Sequence, residues 1–287
     1  MELDLGLSQS MLAGLAAIFG LLVGSFLNVV ILRLPEKMQA EWRRDSRDFL
    51  GLEPEVIEPS VTLSKPASRC PSCGIPIKPH HNIPLFSYLF LKGRCKACAA
   101  PISIQYPLVE LLAGLLAGFF VYYYGLSITS LYGIVFSYSL LVLTGIDLHE
   151  KLLPDQITLP LLWLGLFANL SGTFVSLNEA VIGALAGYLS LWLVFWAFKL
   201  ITGKEGMGYG DFKLLAALGA WMGWQMLPMV ILLSTIVGAT VGIAGILFAG
   251  REKQVPMAFG PYLAMAGWIA FVWGDKILNS YLQFLSL

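Results

Sequence analysis

The chain alternates between long apolar blocks and short polar connections. Because about 20 consecutive apolar residues are needed to cross the hydrocarbon core as a helix, the blocks predict about eight transmembrane helices. The predicted spans cover residues 11–32, 104–124, 127–146, 157–172, 179–198, 212–224, 226–249 and 257–274. The sixth span is short and is interrupted by Gly219 and Gly223. Since lipid offers no partner to backbone groups outside a helix, the pattern predicts an all-α polytopic membrane protein.

Composition supports a membrane protein. Of the 287 residues, 57% are hydrophobic and 13% are charged, whereas soluble domains carry about a quarter charged residues. The first span is predicted to remain as an anchor, because the acidic start Met1-Glu2-Leu3-Asp4 is unlike the basic start of a signal peptide. We expect no nucleic acid among the partners of this chain. We expect membrane lipid to surround it.

The basic residues predict the orientation. Every Lys and Arg except Lys276 lies in or beside the connections on one side of the eight predicted spans. By the positive-inside rule, that side is cytoplasmic. Both termini are then expected on the opposite, periplasmic side. The formal net charge of zero hides this asymmetry.

One connection is long enough to form a separate module. The predicted organisation is a first transmembrane helix at 1–33, a cytoplasmic loop at 34–103, and a seven-helix membrane core at 104–287. The loop contains all four cysteines of the chain, in two Cys-x-x-Cys pairs: Cys70, Cys73, Cys95 and Cys98. Two such pairs can place four thiolates around one Zn²⁺.

Two other interpretations of the cysteines remain open. They can form two disulfides or be inert thiols, although the cytoplasm is a reducing compartment and does not favour disulfides. A redox function needs only one pair. The spacing favours a zinc-ribbon-like insertion with a structural ion, because four cysteine ligands leave no position for water.

Acidic residues are scarce in the predicted spans. Because a carboxylate inside a membrane is energetically costly, each one is a candidate functional residue. Asp147 ends the third span, and Asp211 begins the sixth after the glycines of Gly206-Met207-Gly208-Tyr209-Gly210. The predicted topology puts both acids at the cytoplasmic edge. Two neighbouring carboxyl groups share a proton, which is the working arrangement of an aspartic protease. Gly208 and Gly210 are then hinge candidates next to a substrate strand.

The same acids fit simpler roles. An acid at a helix N-terminus is favoured by the helix dipole, so Asp211 can be a cap, and Asp147 can pair with Lys151. A proton- or ion-coupled transporter can use such a pair. A third alternative is a non-enzymatic zinc-ribbon scaffold for the assembly of a pilus or a secretion system.

An ordered set of motifs resembles the type IV prepilin peptidase family, the leader peptidase/N-methyltransferases with a Gly-x-Gly-Asp aspartic peptidase motif. The resemblance covers residues from about 20 to about 265. The motifs are Gly24-Ser25-Phe26-Leu27-Asn28-Val29-Val30-Ile31-Leu32-Arg33-Leu34-Pro35, the two cysteine pairs, Asn82-Ile83-Pro84, Gly93-Arg94-Cys95, Pro107-Leu108-Val109-Glu110 and Gly208-Tyr209-Gly210-Asp211.

The resemblance implies a bifunctional enzyme of the bacterial inner membrane. Such enzymes remove the basic leader of type IV prepilins or type II secretion pseudopilins after a glycine, on the cytoplasmic face. They then methylate the new N-terminal residue, usually Phe, with S-adenosylmethionine. The catalytic aspartates of the family fall on Asp147 and Asp211, and its zinc ribbon falls on the four cysteines. Asp155 matches the family pattern without being catalytic, and helix capping is its expected role.

The resemblance also connects the N-terminal motif to methyl transfer. The residues concerned are Gly24, Asn28, Arg33 and Pro35, and Glu110 is either part of the same site or a buried structural hydrogen-bonding group. Considered alone, Gly24 suits close helix packing, and Arg33 marks the cytoplasmic interface or binds a carboxylate. Ala99-Ala100 stands where a Gly-Ala pair is common in the family.

Overall fold

The computed structural model describes residues 7–53, 62–77, 83–248, 250 and 257–285, so Asn82 of the motif set lies outside it. Within these ranges the chain is almost entirely helical, and pairing of extended segments is limited to two isolated bridges. The helices are α1 (Gln9–Phe49), α2 (Phe86–Phe90), α3 (Gln105–Tyr124), α4 (Ile128–Glu150), α5 (Asp155–Ala168), α6 (Leu177–Thr202), α7 (Tyr209–Met222), α8 (Leu227–Phe248) and α9 (Gly260–Leu285).

Five helices in the described part of the chain are long and apolar enough to cross a membrane. They are α1, α3, α4, α6, and α8 with the short turn before it. The predicted all-α membrane fold is therefore confirmed, but the count of eight spans is not. The predicted spans 157–172 and 212–224 correspond to α5 and α7, which have 14 residues each, fewer than a helix needs to cross a bilayer alone.

The chain divides into two compact units, Met1–Tyr138 and Ser139–Leu287. In the first unit, α1 and α3 pack closely through small side chains. A Cβ added to Gly24 would lie 2.7 Å from the Glu110 Cα, and one added to Gly20 would lie 2.7 Å from the Ala113 carbonyl oxygen. Since residue numbers rise along α1 as they fall along α3, the two helices are antiparallel. This close contact fits the predicted role of Gly24.

The first helix extends far past the predicted span. It continues to Phe49 through Pro35, which is buried inside the helix. A length of 41 residues corresponds to about 60 Å, roughly twice the thickness of the hydrocarbon core. The helix therefore continues past residue 32, where the predicted span ends, into residues 34–49 of the predicted cytoplasmic loop. Pro35 has no backbone N–H and therefore removes one hydrogen bond of the helix. The helix continues because many residues on both sides of Pro35 are helical.

In the second unit, α7 is the central helix. It packs against α5, α6 and α9, and its side chains from Leu214 to Met222 are all buried. Glycine contacts allow the close approach, because a Cβ at Gly187 would lie 2.5 Å from the Leu215 carbonyl oxygen. Trp221 is fully buried, and its indole N–H donates to the Leu161 carbonyl at 2.9 Å. The helix that begins near Asp211 is thus surrounded by protein.

Candidate active site and cysteine cluster

Asp147 and Asp211 both lie near helix ends within the second unit. Asp147 is in the last turn of α4, where Lys151 has φ +54° and its N–H donates to the Asp147 carbonyl at 3.0 Å. Asp211 is the third residue of α7, in its first turn, and the N-cap of that helix is Gly208. The two residues are 5% and 7% exposed, and their carboxyl groups are near enough to interact electrostatically. The fold therefore brings together two buried acids that are distant in sequence.

Gly260, which sequence analysis did not single out, supplies a backbone partner for Asp147. Its N–H donates to Asp147 Oδ2 at 2.9 Å, and it is the first residue of α9. A Cβ here would lie 2.7 Å from that oxygen and 3.0 Å from Leu153 Cδ2, so the position has no room for a side chain. A helix N-terminus favours a negative charge. The signal in the sequence is the Gly260-Pro261 pair, because Pro is favoured at the start of a helix.

Leu153 lies in the connection between α4 and α5 and contacts both glycines next to the acids. A Cβ added to Gly210 would lie 2.7 Å from Leu153 Cβ, just as one added to Gly260 would meet its Cδ2. One apolar side chain thus packs against the starts of α7 and α9. This packing explains why position 210 carries no side chain.

The predicted hinge glycines have ordinary backbone angles. Gly208 has φ −80° and ψ 148°, and Gly210 is not one of the glycines with positive φ. A Cβ at Gly208 would meet Asp211 Oδ2 at 3.8 Å, an ordinary contact distance. The backbone at Gly208 is therefore open beside the carboxylate. The hinge motion itself stays a prediction.

An ion pair corrects the expected role of Asp155. This residue is the first of α5, whose N-cap is Pro154, and its carboxylate accepts from Lys213 Nζ at 2.6 Å and 2.7 Å. Asp155 therefore connects the start of α5 to α7 instead of capping its own helix. Between the described side chains of Lys151 and Asp147 there is no ion pair, so that alternative for Asp147 has no support.

The two cysteine pairs in the first unit fold into the same short turn. The Cys70 N–H donates to the Ile75 carbonyl at 3.0 Å, and the Gly74 N–H donates to the Cys70 carbonyl at 2.8 Å. The second pair repeats both bonds, at 2.8 Å and 2.9 Å. The residue after the last cysteine of each turn has positive φ, +70° at Gly74 and +57° at Ala99. The backbone of each motif thus aims its two thiols to the same side.

The four thiols converge. All cysteines are free, and their Sγ atoms lie within 4.8 Å of one another. Cys70 Sγ and Cys98 Sγ are 3.8 Å apart, close to the sulfur–sulfur separation of about 3.8 Å in a tetrahedral site with Zn–S bonds of about 2.3 Å. Hydrogen bonds from the backbone N–H groups of Cys73 and Ser72 lower the pKa of the Cys70 thiol to about 6, and metals bind the thiolate form. The cluster can therefore bind a metal ion.

A group of polar side chains lies along the packed seam between α1 and α3. Asn28 Nδ2 donates to the Gly24 carbonyl at 3.3 Å and to the Tyr106 carbonyl at 3.1 Å. Its Oδ1 is buried without a hydrogen-bond partner among the described residues. One helical turn away, buried Glu110 accepts from the Leu85 N–H at 2.9 Å and from the Ser25 side chain. Both residues are thus buried polar groups with specific backbone contacts.

Arg33 has a role that the sequence did not show. Its Nη1 donates to the carbonyls of Thr62 and Leu63 at 3.2 Å and 3.4 Å. The guanidinium therefore holds the segment before the first cysteine pair against α1. Pro35 follows half a turn later and is buried inside α1.

Comparison with known families supports the same assignment in both halves of the chain. Residues 18–124 match the bacterial peptidase A24 N-terminal domain, and residues 134–243 match the type IV leader peptidase family. No solved structure matches the chain.

The curated relatives cover nearly the whole length. The prepilin leader peptidase/N-methyltransferase of Pseudomonas aeruginosa is 54% identical over 93% of this chain and 92% of its own length. The protein of the same name from Aeromonas hydrophila is 56% identical over 93% of both chains. That from Neisseria gonorrhoeae is 48% identical over 96% of this chain and 95% of its own. With identities this high over this length, the chain belongs to the type IV leader peptidase family.

Proposed function

We propose that this protein is a prepilin leader peptidase and N-methyltransferase. It removes the basic leader of type IV prepilins or pseudopilins after a glycine, at the cytoplasmic face of the bacterial inner membrane. It then methylates the new N-terminal residue, usually Phe. The observation that carries the proposal is the pair of buried aspartates, Asp147 and Asp211, in a chain whose relatives are named for both activities. The transporter and scaffold alternatives receive no support from these relatives.

The two aspartates divide the work of peptide hydrolysis. One carboxylate takes a proton from water as the water oxygen attacks the scissile carbonyl carbon. The other, protonated, gives its proton to the carbonyl oxygen. When the C–N bond breaks, the first carboxyl group passes the proton that it took from water to the leaving nitrogen, and a hydroxyl of the tetrahedral intermediate returns a proton to the second carboxylate. No covalent intermediate with the protein is required. The Gly260 N–H fixes one oxygen of Asp147, which holds that carboxyl group in a defined orientation towards its partner.

Substrate access is expected at the start of α7. The open backbone at Gly208, next to Asp211 Oδ2, leaves space for an extended peptide beside the acid. At Gly210, the space that a side chain would take is filled by Leu153. The two glycines therefore have different roles. We assign Gly208 to substrate approach and Gly210 to packing that positions Asp211.

The cysteine cluster is proposed to bind one structural Zn²⁺. Its four sulfur ligands close the coordination shell and leave no position for water, so the ion would not take part in hydrolysis. Its contribution is to fold the segment between α1 and α3, because binding free energy at such sites is folding free energy.

The methyl-transfer site is proposed on the α1–α3 seam. S-adenosylmethionine supplies the methyl group when it is bound. The buried Asn28 Oδ1 accepts no hydrogen bond from the described residues, and an ammonium group would donate one. Gly24 brings α1 onto α3 at Glu110, which sets the two polar residues one turn apart. Arg33 would hold the adjoining segment at Thr62 and Leu63 in place, and Pro35 stays a candidate of the same motif.

Mass spectrometry of a prepilin incubated with membranes and S-adenosylmethionine tests the peptidase proposal. We expect leader loss plus one methyl group with the wild type, and neither with Asp147→Asn or Asp211→Asn. Asp275→Asn, which alters an exposed acid of α9, is the matched control and should process normally. Normal cleavage by either dyad variant, in protein that is folded and membrane-bound, would overturn the assignment.

A second variant separates the two activities. Asn28→Leu should retain leader cleavage and lose methylation, and it should bind radiolabelled S-adenosylmethionine more weakly in equilibrium dialysis. If Asn28→Leu methylates and binds the donor normally, the seam is not the methyl-transfer site, whereas the peptidase proposal would be unaffected.

A further inference from the structure

The short helix α2 carries an exposed apolar surface that the proposed activities do not use. Phe86, Leu89 and Phe90 are 58%, 71% and 84% exposed, and we call these three side chains the α2 surface. Tyr88, on the same helix, faces the other way, because a Cβ on Gly93 would lie 3.0 Å from its hydroxyl. The ribbon, the cysteine-bearing segment between α1 and α3, thus packs Tyr88 against Gly93 and leaves the three side chains of the α2 surface exposed.

A hydrogen bond fixes the position of α2 relative to a membrane-crossing helix. The Leu85 N–H, directly before α2, donates to Glu110 Oε2 at 2.9 Å. Glu110 is the sixth residue of α3, about 7 Å along the helix axis from its start. Because α3 is long and apolar enough to cross a membrane, a segment attached at this level lies within about 7 Å of the boundary between the hydrocarbon core and the headgroups.

The backbone at this attachment is costly and specific. Leu85 adopts φ +60° and ψ −49°, a region that residues with a side chain avoid. Pro84, before it, is buried. The chain is thus bent sharply at Glu110, and α2 begins at once after the bend.

Basic side chains follow the apolar ones directly. Lys92, Arg94 and Lys96 are all exposed, within a few residues of Phe90. Segments that bind at the interface of an anionic membrane typically carry apolar side chains next to basic ones. Continuity with α3 and this charge pattern both favour lipid as the occupant of the exposed face.

We propose that the α2 surface inserts into the cytoplasmic lipid interface. Phe86, Leu89 and Phe90 lie at the boundary between headgroups and acyl chains, and Lys92, Arg94 and Lys96 contact anionic headgroups. The cysteine-bearing segment is then a membrane-attached module. It is held at the bilayer on one side by Glu110 and on the other by lipid. The proposal depends on α3 crossing the membrane, and on neither catalytic activity.

Spin-label depth measurements on the full chain test the insertion. A nitroxide carried by a non-canonical amino acid avoids the four cysteines and replaces Phe90, in protein reconstituted into phosphatidylethanolamine–phosphatidylglycerol vesicles. Position 115, exposed at the middle of α3, is the lipid control, and position 49, 90% exposed at the end of α1, is the aqueous control. Asn28 lies level with the start of α3, because its side chain donates to the Tyr106 carbonyl. Position 49 is 21 residues farther along α1, about 30 Å along the helix axis, so we expect it to lie far outside the bilayer.

We expect the ratio of oxygen to nickel-chelate accessibility at position 90 to exceed that at position 49 several-fold and to approach that at position 115. Replacing Lys92 and Lys96 with Gln should reduce the depth in anionic vesicles and leave it unchanged in phosphatidylcholine. A ratio equal to that at position 49 would show a water-exposed surface and overturn the proposal. Low accessibility to both reagents would show that protein covers the α2 surface, and would overturn it equally.

Discussion

The cysteine cluster and the aspartate pair are both built from two short motifs, but they are assembled in different ways. Each cysteine turn is closed by hydrogen bonds within six residues of chain, so each motif positions its own thiols. The aspartates depend on three helices, because Gly260 of α9 binds Asp147 of α4 while Asp211 stands on α7. The difference shows why one site can be identified from spacing and the other only in part.

This comparison also predicts how the two sites fail. Damage to one cysteine turn should remain within the ribbon, since its contacts are local. Damage at α9 should disturb the aspartates without changing any residue of their motifs. The following four variants test these expectations, in descending order of the effect expected.

Cys73→Ser should remove the metal from the cluster and leave the second unit intact. A three-thiolate site binds Zn²⁺ far more weakly, so we expect metal content to fall from about one ion per chain towards zero. Metal analysis together with limited proteolysis checks this, and new cleavage sites should appear between α1 and α3. Ser72→Ala, which alters an exposed neighbour, should keep its metal. Full metal content in Cys73→Ser would show that this thiol is not a ligand.

Gly260→Ala should reduce leader cleavage about 10²-fold, because a displacement of about 1 Å at a reacting group has an effect of this size. The added Cβ would stand 2.7 Å from Asp147 Oδ2 and must push the carboxylate or Leu153 aside. Single-turnover cleavage measures the effect, and metal content should not change. Gly14→Ala, where an added Cβ meets nothing within 4 Å, is the control. Unimpaired cleavage by Gly260→Ala would mean that Asp147 is positioned without α9.

Lys213→Met should slow cleavage by less than about fivefold. The ion pair with Asp155 joins α5 to the first turns of α7, but its side chains are 28% and 51% exposed, and such pairs contribute about 0–1 kcal/mol. Cleavage rates at low and high salt check the cause, since salt should diminish the difference between wild type and variant. Lys199→Met, which breaks the exposed pair with Glu205, should have no effect on cleavage. A loss as large as that of Asp211→Asn would give Lys213 a direct role in the chemistry.

Ala99→Gly should stabilise the metal-bound ribbon by up to about 1 kcal/mol, because Ala99 has φ +57° and only glycine adopts this conformation without strain. The midpoint of metal release during thermal or chelator titration measures the change. Gly74→Ala, at the equivalent position of the first turn, should shift the midpoint in the opposite direction. Equal midpoints for the wild type and both variants would show that the residue after the last cysteine of each turn does not affect metal release.

Much of the fold followed from apolar block length, but helix ends did not. The blocks predicted α3, α4, α6 and α8 closely, since hydrophobic length limits where a spanning helix can lie. They missed the continuation of α1 to Phe49, because a polar helix outside the bilayer carries no such limit. They also treated α7 as a spanning helix, although its apolar character arises from burial by neighbouring helices.

The candidate sites show the same division. Cys-x-x-Cys spacing predicted a four-thiol cluster because the geometry is local. Asp147 and Asp211 were identified as scarce acids at span ends, which is a local signal too. Gly260 was missed because its importance depends on a contact across 113 residues. The Asp155–Lys213 pair was missed for the same reason, and Asp155 was expected to cap the helix that it begins.

The location of Gly260 on the last helix also affects biogenesis. A 14-residue helix such as α7 is too short to enter a bilayer by its own hydrophobicity. One of the helices that surround it, α9, follows it in the chain and is synthesised after it. Until α9 leaves the ribosome, Asp147 has no Gly260 N–H to bind and Asp211 stands on an incompletely covered helix. A nascent chain that has not yet reached α9 is therefore expected to be inactive, because Asp147 gains its Gly260 contact only after that helix has been synthesised.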